Sequence, residues 1–277
     1  MRFLHFILSH SLFIACCAAG LCYQTNLLLG IPHSLNVYGF IFFSTLCSYN
    51  FYWLLSKFYF ARRPTLLSFL KEQFSLVAVF VFSAVGTLFF LLMSEGLFLS
   101  AAVGAILTLV YSLPLWPFPF SKRMQKAGFL KTTLLAFTWA YVTTVIPAAG
   151  LQDISALSVV VLFSARFCFL LLLCIIFDMR DGSTDKVRGM HSLATDVSKR
   201  KLNVIIYTVF VFYFISGLFL RYYLHDTAHM IAFIITGIIV WLVYKQSLKP
   251  QSYMFYYFFV DGLMLISAFG TYLAEQL

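Results

Sequence analysis

Almost the whole chain can be tiled with apolar stretches of about twenty residues, and that property leaves it very few ways to fold. A bilayer's hydrocarbon core is ~30 Å thick and a helical residue rises ~1.5 Å, so a spanning helix takes ~20 residues. Backbone amides facing lipid have no water to bond, so the spans must be helices. The stretches fall at roughly 4–22, 36–56, 74–94, 97–115, 130–150, 155–177, 203–222, 227–244 and 253–274. They predict an all-α polytopic membrane protein with about nine transmembrane helices. No soluble domain, linker or exact repeat interrupts them, so residues 1–277 read as a single transmembrane domain. Composition agrees: 62% of residues are hydrophobic and 10% charged, against roughly half and a quarter in soluble domains.

The net charge of +9 would suit a nucleic-acid partner, but its distribution argues otherwise. Arg2 precedes the first stretch; Lys57, Arg62, Arg63 and Lys71 follow the second; Lys122, Arg123, Lys126 and Lys131 follow the fourth. Arg180, Lys186, Arg188, Lys199, Arg200 and Lys201 follow the sixth, and Lys245 and Lys249 the eighth. With nine spans all of these share one side, while the opposite connections carry only Arg221 beside Glu95, Asp153 and Asp226. This is the positive-inside asymmetry, which predicts a multi-pass protein of the cell (inner or plasma) membrane with a cytoplasmic N-terminus. The basic face also suits anionic headgroups or a phosphate-bearing ligand. Residues Arg2 to Cys22 read alternatively as a signal peptide, with the orientation of the other helices unchanged. The cysteines lie in apolar stretches without CxxC spacing and read as small buried hydrophobes.

One stretch stands out for chemistry: Phe177-Asp-Met-Arg-Asp-Gly-Ser-Thr-Asp-Lys-Val-Arg-Gly189. Asp178, Asp181 and Asp185 lie at i, i+3 and i+7, which on a helix puts them within an arc of ~60°. Clustered carboxylates repel one another unless a cation sits among them, and magnesium takes such oxygens together with a substrate's phosphates. Arg180, Lys186 and Arg188 are interleaved and suited to phosphate oxygens. A solvated loop of mixed charge is the plainer alternative.

The pattern Asp178-x-x-Asp181-x-x-x-Asp185-x-x-x-Gly189 resembles the second aspartate-rich motif of the UbiA superfamily of intramembrane prenyltransferases. Ser192-Leu193-Ala194-Thr195 falls where that family has a Thr-Leu-Pro-like segment. The resemblance implies a UbiA-like helical bundle in which Asp178, Asp181 and Asp185 bind Mg2+ and the diphosphate of an allylic isoprenoid. The family's other motif, Asn-Asp-x-x-Asp-x-x-x-Asp, should follow the second span. Here Asn50 is in place, but Phe51, Leu54 and Phe58 occupy the carboxylate positions. Lys57, on the helical face of Asn50, and Arg62 stand as cationic substitutes. Tyr111, in a Tyr-Ser-x-Pro sequence, and Lys122 resemble the family's fourth-helix end and the loop after it, where such residues hold diphosphate. For Tyr111 an interfacial anchor is an equal reading.

By this resemblance the chain would be a transferase of prenyl groups, taking an isoprenoid diphosphate and an aromatic or lipophilic acceptor within membrane lipid, with no nucleic acid as partner. A diverged member that binds a polyprenyl lipid or a membrane partner without turnover is the alternative, supported by the eroded first motif. Arg166 and Asp261 lie within apolar stretches. Each is a functional candidate, or they form a structural pair with one another; a small transporter built on them ranks below both readings. His225 and His229 form an HxxxH pair that reads as exposed loop histidines rather than as a zinc site.

Overall fold

The computed structural model describes residues 2–60, 65–94, 96–112, 128–149, 151, 154–188, 191–224 and 227–277, and every regular element among them is a helix. In chain order these are α1 (Arg2–Ser9), α2 (Leu12–Leu29), α3 (Leu35–Phe60), α4 (Leu66–Glu72), α5 (Phe74–Leu92) and α6 (Phe98–Ser112). They continue as α7 (Gly128–Ala148), α8 (Ala156–Arg188), α9 (Leu193–Asp196), α10 (Lys199–Leu224), α11 (Thr227–Ser247) and α12 (Phe255–Glu275). Seven of them, α2, α5, α7, α8, α10, α11 and α12, are long and apolar enough to cross a membrane. Helix α3, of 26 residues, and the shorter apolar α6, of 15, stand beside them. The protein is a multi-pass membrane protein.

The helices follow one another around a bundle. Helix α5 packs on α3, α3 on α2, α2 on α12, α12 on α11, α11 on α10, α10 on α8, α8 on α7 and α7 on α6. Helix α2 also reaches across to α7 and α8. One continuous core, with Leu21, Ile41, Ala140, Ile176, Tyr213 and Leu263 among its members, joins these elements. The outer faces of α5 and α10 expose Phe82, Val85, Leu88, Val211, Phe212 and Phe219, as a surface bathed in hydrocarbon should.

The first span lies further along the chain than the apolar pattern predicts. Helix α1 ends at Ser9, Ser11 takes a left-handed φ of 63°, and α2 then runs through Leu29, where Gly30, also at φ 63°, ends it. Gln24-Thr25-Asn26 interrupts the apolar run in the sequence, yet these three residues are buried inside the span. They are tolerated because each donates at least one hydrogen bond inside the bundle, although Asn26 Oδ1 is left without a partner. Gln24 Nε2 donates to Ser267 Oγ (3.0 Å), the Ser267 carbonyl (3.1 Å) and Thr271 Oγ1 (2.7 Å) on α12. Thr25 Oγ1 donates to the Thr143 carbonyl at 2.7 Å, and Asn26 Nδ2 to the Pro32 carbonyl at 3.1 Å.

The Thr143 carbonyl is available for a reason. Residues Tyr141–Val145 form a π turn within α7, and Pro147, four residues beyond Thr143, has no N–H to give it. Arg166 on α8 uses that acceptor too. Its Nη1 donates to the Leu21 carbonyl (2.9 Å) and the Thr143 carbonyl (3.3 Å), and its Nη2 to Gln24 Oε1 (3.0 Å). The alternative in which Arg166 pairs with Asp261 is not formed, because neutral acceptors from α2 and α7 take up the guanidinium.

Candidate functional site

Helix α8 does not stop where its apolar stretch ends. It continues for about three turns to Arg188 and so carries Asp178, Arg180 and Asp181 in helical geometry. Asp178 Oδ2 accepts from the Thr132 hydroxyl of α7 and from the Leu193 N–H at 3.2 Å. Leu193 itself is fully buried, so the chain after α8 folds back and plugs into the bundle above Thr132. Asp196 completes the closure, accepting from the Gly128 N–H at 2.9 Å and pairing with His191 Nδ1 at 2.6 Å. Gly128 is required there: a Cβ would sit 2.5 Å from the Ser192 backbone.

Arg180 and Asp181 are joined side by side. Arg180 Nε and Nη2 each lie 2.7 Å from one Asp181 oxygen, a two-pronged ion pair. The guanidinium also lies over three rings, Phe177 at 4.9 Å, Tyr256 at 5.1 Å and Tyr257 at 4.7 Å. The two tyrosines come from a second π turn, Phe255–Val260, at the start of α12. Cation–π contact of this kind is worth about 0.5–2 kcal/mol, more as water is excluded. The pair is partly open to its surroundings, with side-chain exposures of 21% for Arg180 and 43% for Asp181.

Beyond this charged mouth the interior is aromatic. Trp139 Nε1 donates to the Tyr49 hydroxyl at 3.1 Å, and Tyr52 stacks on Tyr111 at 5.4 Å. That stack, between α3 and α6, is where the structure places Tyr111. Asn50 faces the chain's start: its Nδ2 donates to the His10 carbonyl (3.0 Å) and the Leu46 carbonyl (2.8 Å), while its Oδ1 is buried without a hydrogen-bond partner. Lys57 Nζ bonds Gln73 Oε1 at 2.7 Å, tying α3 to the α4–α5 junction. Arg62 and Lys122 lie outside the described residues, as do the side chains of Asp185 and Lys186.

Several participants escape a reading of the sequence. Thr132, Tyr256 and Tyr257 look like ordinary span residues, and only contact with Asp178 and Arg180 singles them out. The tyrosine doublet four and five residues before Asp261 is the one visible signal. At the opposite end, His229 is no exposed loop residue. It stands in the first turn of α11, largely buried, with Nε2 3.3 Å from Glu275 Oε2; His225 lies outside the described residues.

The donor set can be tested against magnesium. Among the described residues no three His, Cys, Asp or Glu side chains converge. Asp178 and Asp181 remain, about one turn apart on one helix, while α3 carries Phe51, Leu54 and Phe58 at the positions where the first motif would place carboxylates. Two carboxylates fit one magnesium ion shared with a diphosphate. They do not fit a pair of ions held between two aspartate clusters.

No family model and no curated relative matches the sequence. Solved structures do match the fold. A digeranylgeranylglyceryl phosphate synthase superposes with a TM-score of 0.63 at 16% identity, over 100% of both chains. A UbiA homolog from Aeropyrum pernix K1 superposes with a TM-score of 0.61 at 13% identity, over 94% of this chain and 96% of its own. The fold is that of the UbiA-type membrane proteins.

Proposed function

We propose that the chain is a UbiA-like intramembrane prenyltransferase that moves a prenyl group from an isoprenoid diphosphate to an aromatic or lipophilic acceptor. The observation that carries this reading is the position of Asp178, Arg180 and Asp181 where α8 leaves its apolar stretch, beside aromatic side chains, in a bundle that matches a UbiA-type structure along its whole length. Thr132 and the Leu193 N–H fix the orientation of Asp178. Arg180, held against Phe177, Tyr256 and Tyr257, exchanges Asp181 for diphosphate oxygens when substrate arrives. Asp178, Asp181 and Asp185 are the residues that would hold Mg2+, whose charge offsets that of the departing diphosphate. By the same resemblance, Asn50, Lys57, Arg62, Tyr111, Lys122 and Lys186 are the remaining candidates for binding the diphosphate. Aromatic side chains below stabilise the allylic cation and exclude water.

The bidentate Arg180–Asp181 pair and the apolar residues Phe51, Leu54 and Phe58 favour a second reading, a protein that binds a polyprenyl lipid without turnover. Purified protein incubated with radiolabelled geranyl, farnesyl and geranylgeranyl diphosphates and a panel of phenolic and long-chain alcohol acceptors separates the two. Transfer is expected with magnesium and not with EDTA, and Asp181→Asn should lower it at least about 100-fold. Turnover retained in that variant would sink the assignment; magnesium-independent binding without product supports the second reading.

A further inference from the structure

Helices α10 and α11 meet along a seam whose floor, near one end, is aromatic. Three contacts fix their antiparallel register. The Tyr244 hydroxyl donates to Asn203 Oδ1 at 3.3 Å, Tyr207 lies 5.5 Å from Trp241, and the Tyr213 hydroxyl donates to the Phe233 carbonyl at 3.0 Å. Arg200, Asn203 and Tyr207, at i, i+3 and i+7, share one face of α10. Trp241 and Lys245, at i and i+4, share one face of α11, and Lys249 follows just past its end. The register sets Lys199 and Arg200, about one turn before Asn203, level with Leu248 and Lys249, about one turn past Tyr244. Lys245 Nζ stands over the Trp241 ring, 4.5 Å from its centre.

The cations gathered here have no counter-charge. Lys199, Arg200, Lys201, Lys245 and Lys249 are exposed, and among the described residues none is paired with a carboxylate. Asp196, the acid nearest to them in the sequence, is taken up by the Gly128 N–H and His191. Lys199, Arg200 and Lys201 stand in the first turn of α10, which holds no acid and where the helix dipole disfavours positive charge. Orientation in a membrane asks only that cations lie on one side. It does not ask that they converge from two helices above a tryptophan and a tyrosine. Below them the flanks of the seam are apolar and bare: Val204, Val211, Ile238 and Leu242 are all exposed.

We propose that this seam seats one anionic glycerophospholipid of the adjoining leaflet. Its phosphate lies among Arg200, Lys245, Lys249 and the Asn203 amide, its glycerol against Tyr207 and Trp241, and an acyl chain along the bare flank below. Guanidinium and ammonium donors suit phosphate oxygens, and basic pockets between spans bind acidic headgroups. Aromatic rings at that level suit the boundary between headgroup and hydrocarbon. Tyr244 already holds Asn203 Oδ1, which leaves the Asn203 N–H groups as donors to the headgroup. The lipid clips α10 to α11, and its binding does not depend on the transferase reading.

The full chain, delipidated in detergent, provides the test. Palmitoyl-oleoyl phosphatidylglycerol should raise its melting temperature by about 5 °C, while phosphatidylcholine of the same chains and inorganic phosphate should not. Native mass spectra should show one phosphatidylglycerol retained per chain. The double variant Arg200→Gln with Lys245→Gln should hold that lipid roughly tenfold more weakly. A control, Arg2→Gln with Lys71→Gln, removes the same charge from basic positions outside the seam and should bind as the parent does. A photoreactive phosphatidylglycerol should label residues 199–207 and 241–249 of the parent, and this decides the matter if the first double variant does not fold. Equal weakening in both double variants, or labelling confined to other segments, overturns the proposal. So does stabilisation by phosphatidylcholine or inorganic phosphate that equals that by phosphatidylglycerol.

Discussion

Arg166 holds a guanidinium near the middle of α8 and answers it with neutral groups alone, the carbonyls of Leu21 and Thr143 and the amide oxygen of Gln24. Each bond to a charged donor contributes more than a neutral one, and a buried acceptor left unpaired costs about 1–3 kcal/mol. Arg166→Met should therefore destabilise the solubilised protein by about 2–3 kcal/mol, read as a fall in melting temperature, because Gln24 Oε1 loses its donor. Asp181→Asn acts differently: it should leave the melting temperature nearly unchanged, since a partly exposed pair adds at most about 1 kcal/mol. An equal loss of stability in the two variants would mean that Arg180 and Asp181 serve the fold and not a ligand.

Between α3 and α5 the contact is reciprocal: Phe90 of α5 lies over Gly39 of α3, Phe43 of α3 over Gly86 of α5, and the two rings stack at 5.5 Å. Gly86→Leu should separate these helices, costing about 1–3 kcal/mol of overpacking; unaltered thermal stability would refute that packing. Gly128→Ala should be as severe, because rigid backbone and not a flexible ring meets the new methyl. Reading the sequence locates the helices well where apolar runs are clean, as at 74–94 and 227–244, which the structure gives as α5 and α11. It misplaces α2 by several residues, because Gln24, Thr25 and Asn26 look like a connection until their partners on α7 and α12 are seen. The shared helix of Asp178 and Asp181 is legible from their spacing, since α8 runs on to Arg188. Thr132 and the tyrosines of α12 are not, since long-range contact, not local pattern, recruits them.

At the scale of the molecule, the bundle has two unlike ends. Arg180, Asp178 and the tyrosines of α12 mark one; His229 and Glu275 mark the other. The charge asymmetry predicts a cytoplasmic basic end, in which case Lys249→Cys should react with an impermeant maleimide in inverted vesicles only, and Gln276→Cys in right-side-out vesicles only. The reverse pattern would overturn the orientation argued from the basic residues. The bundle's likeness to UbiA-type structures reaches across 94–100% of this chain at 13–16% identity, so its shape tolerates replacement of most of its side chains.

The π turn of α7 constrains how such replacement can proceed. Pro147 withholds the donor that Thr143 would otherwise meet, and Thr25, Arg166 and Gln24 fill the gap in sequence. Mutations at these sites should be epistatic: Arg166→Met combined with Gln24→Leu should cost less than the sum of the two alone, a double-mutant coupling of about 1 kcal/mol or more. A lineage carrying this kink would therefore change these positions as a set, inheriting or discarding the whole polar centre together.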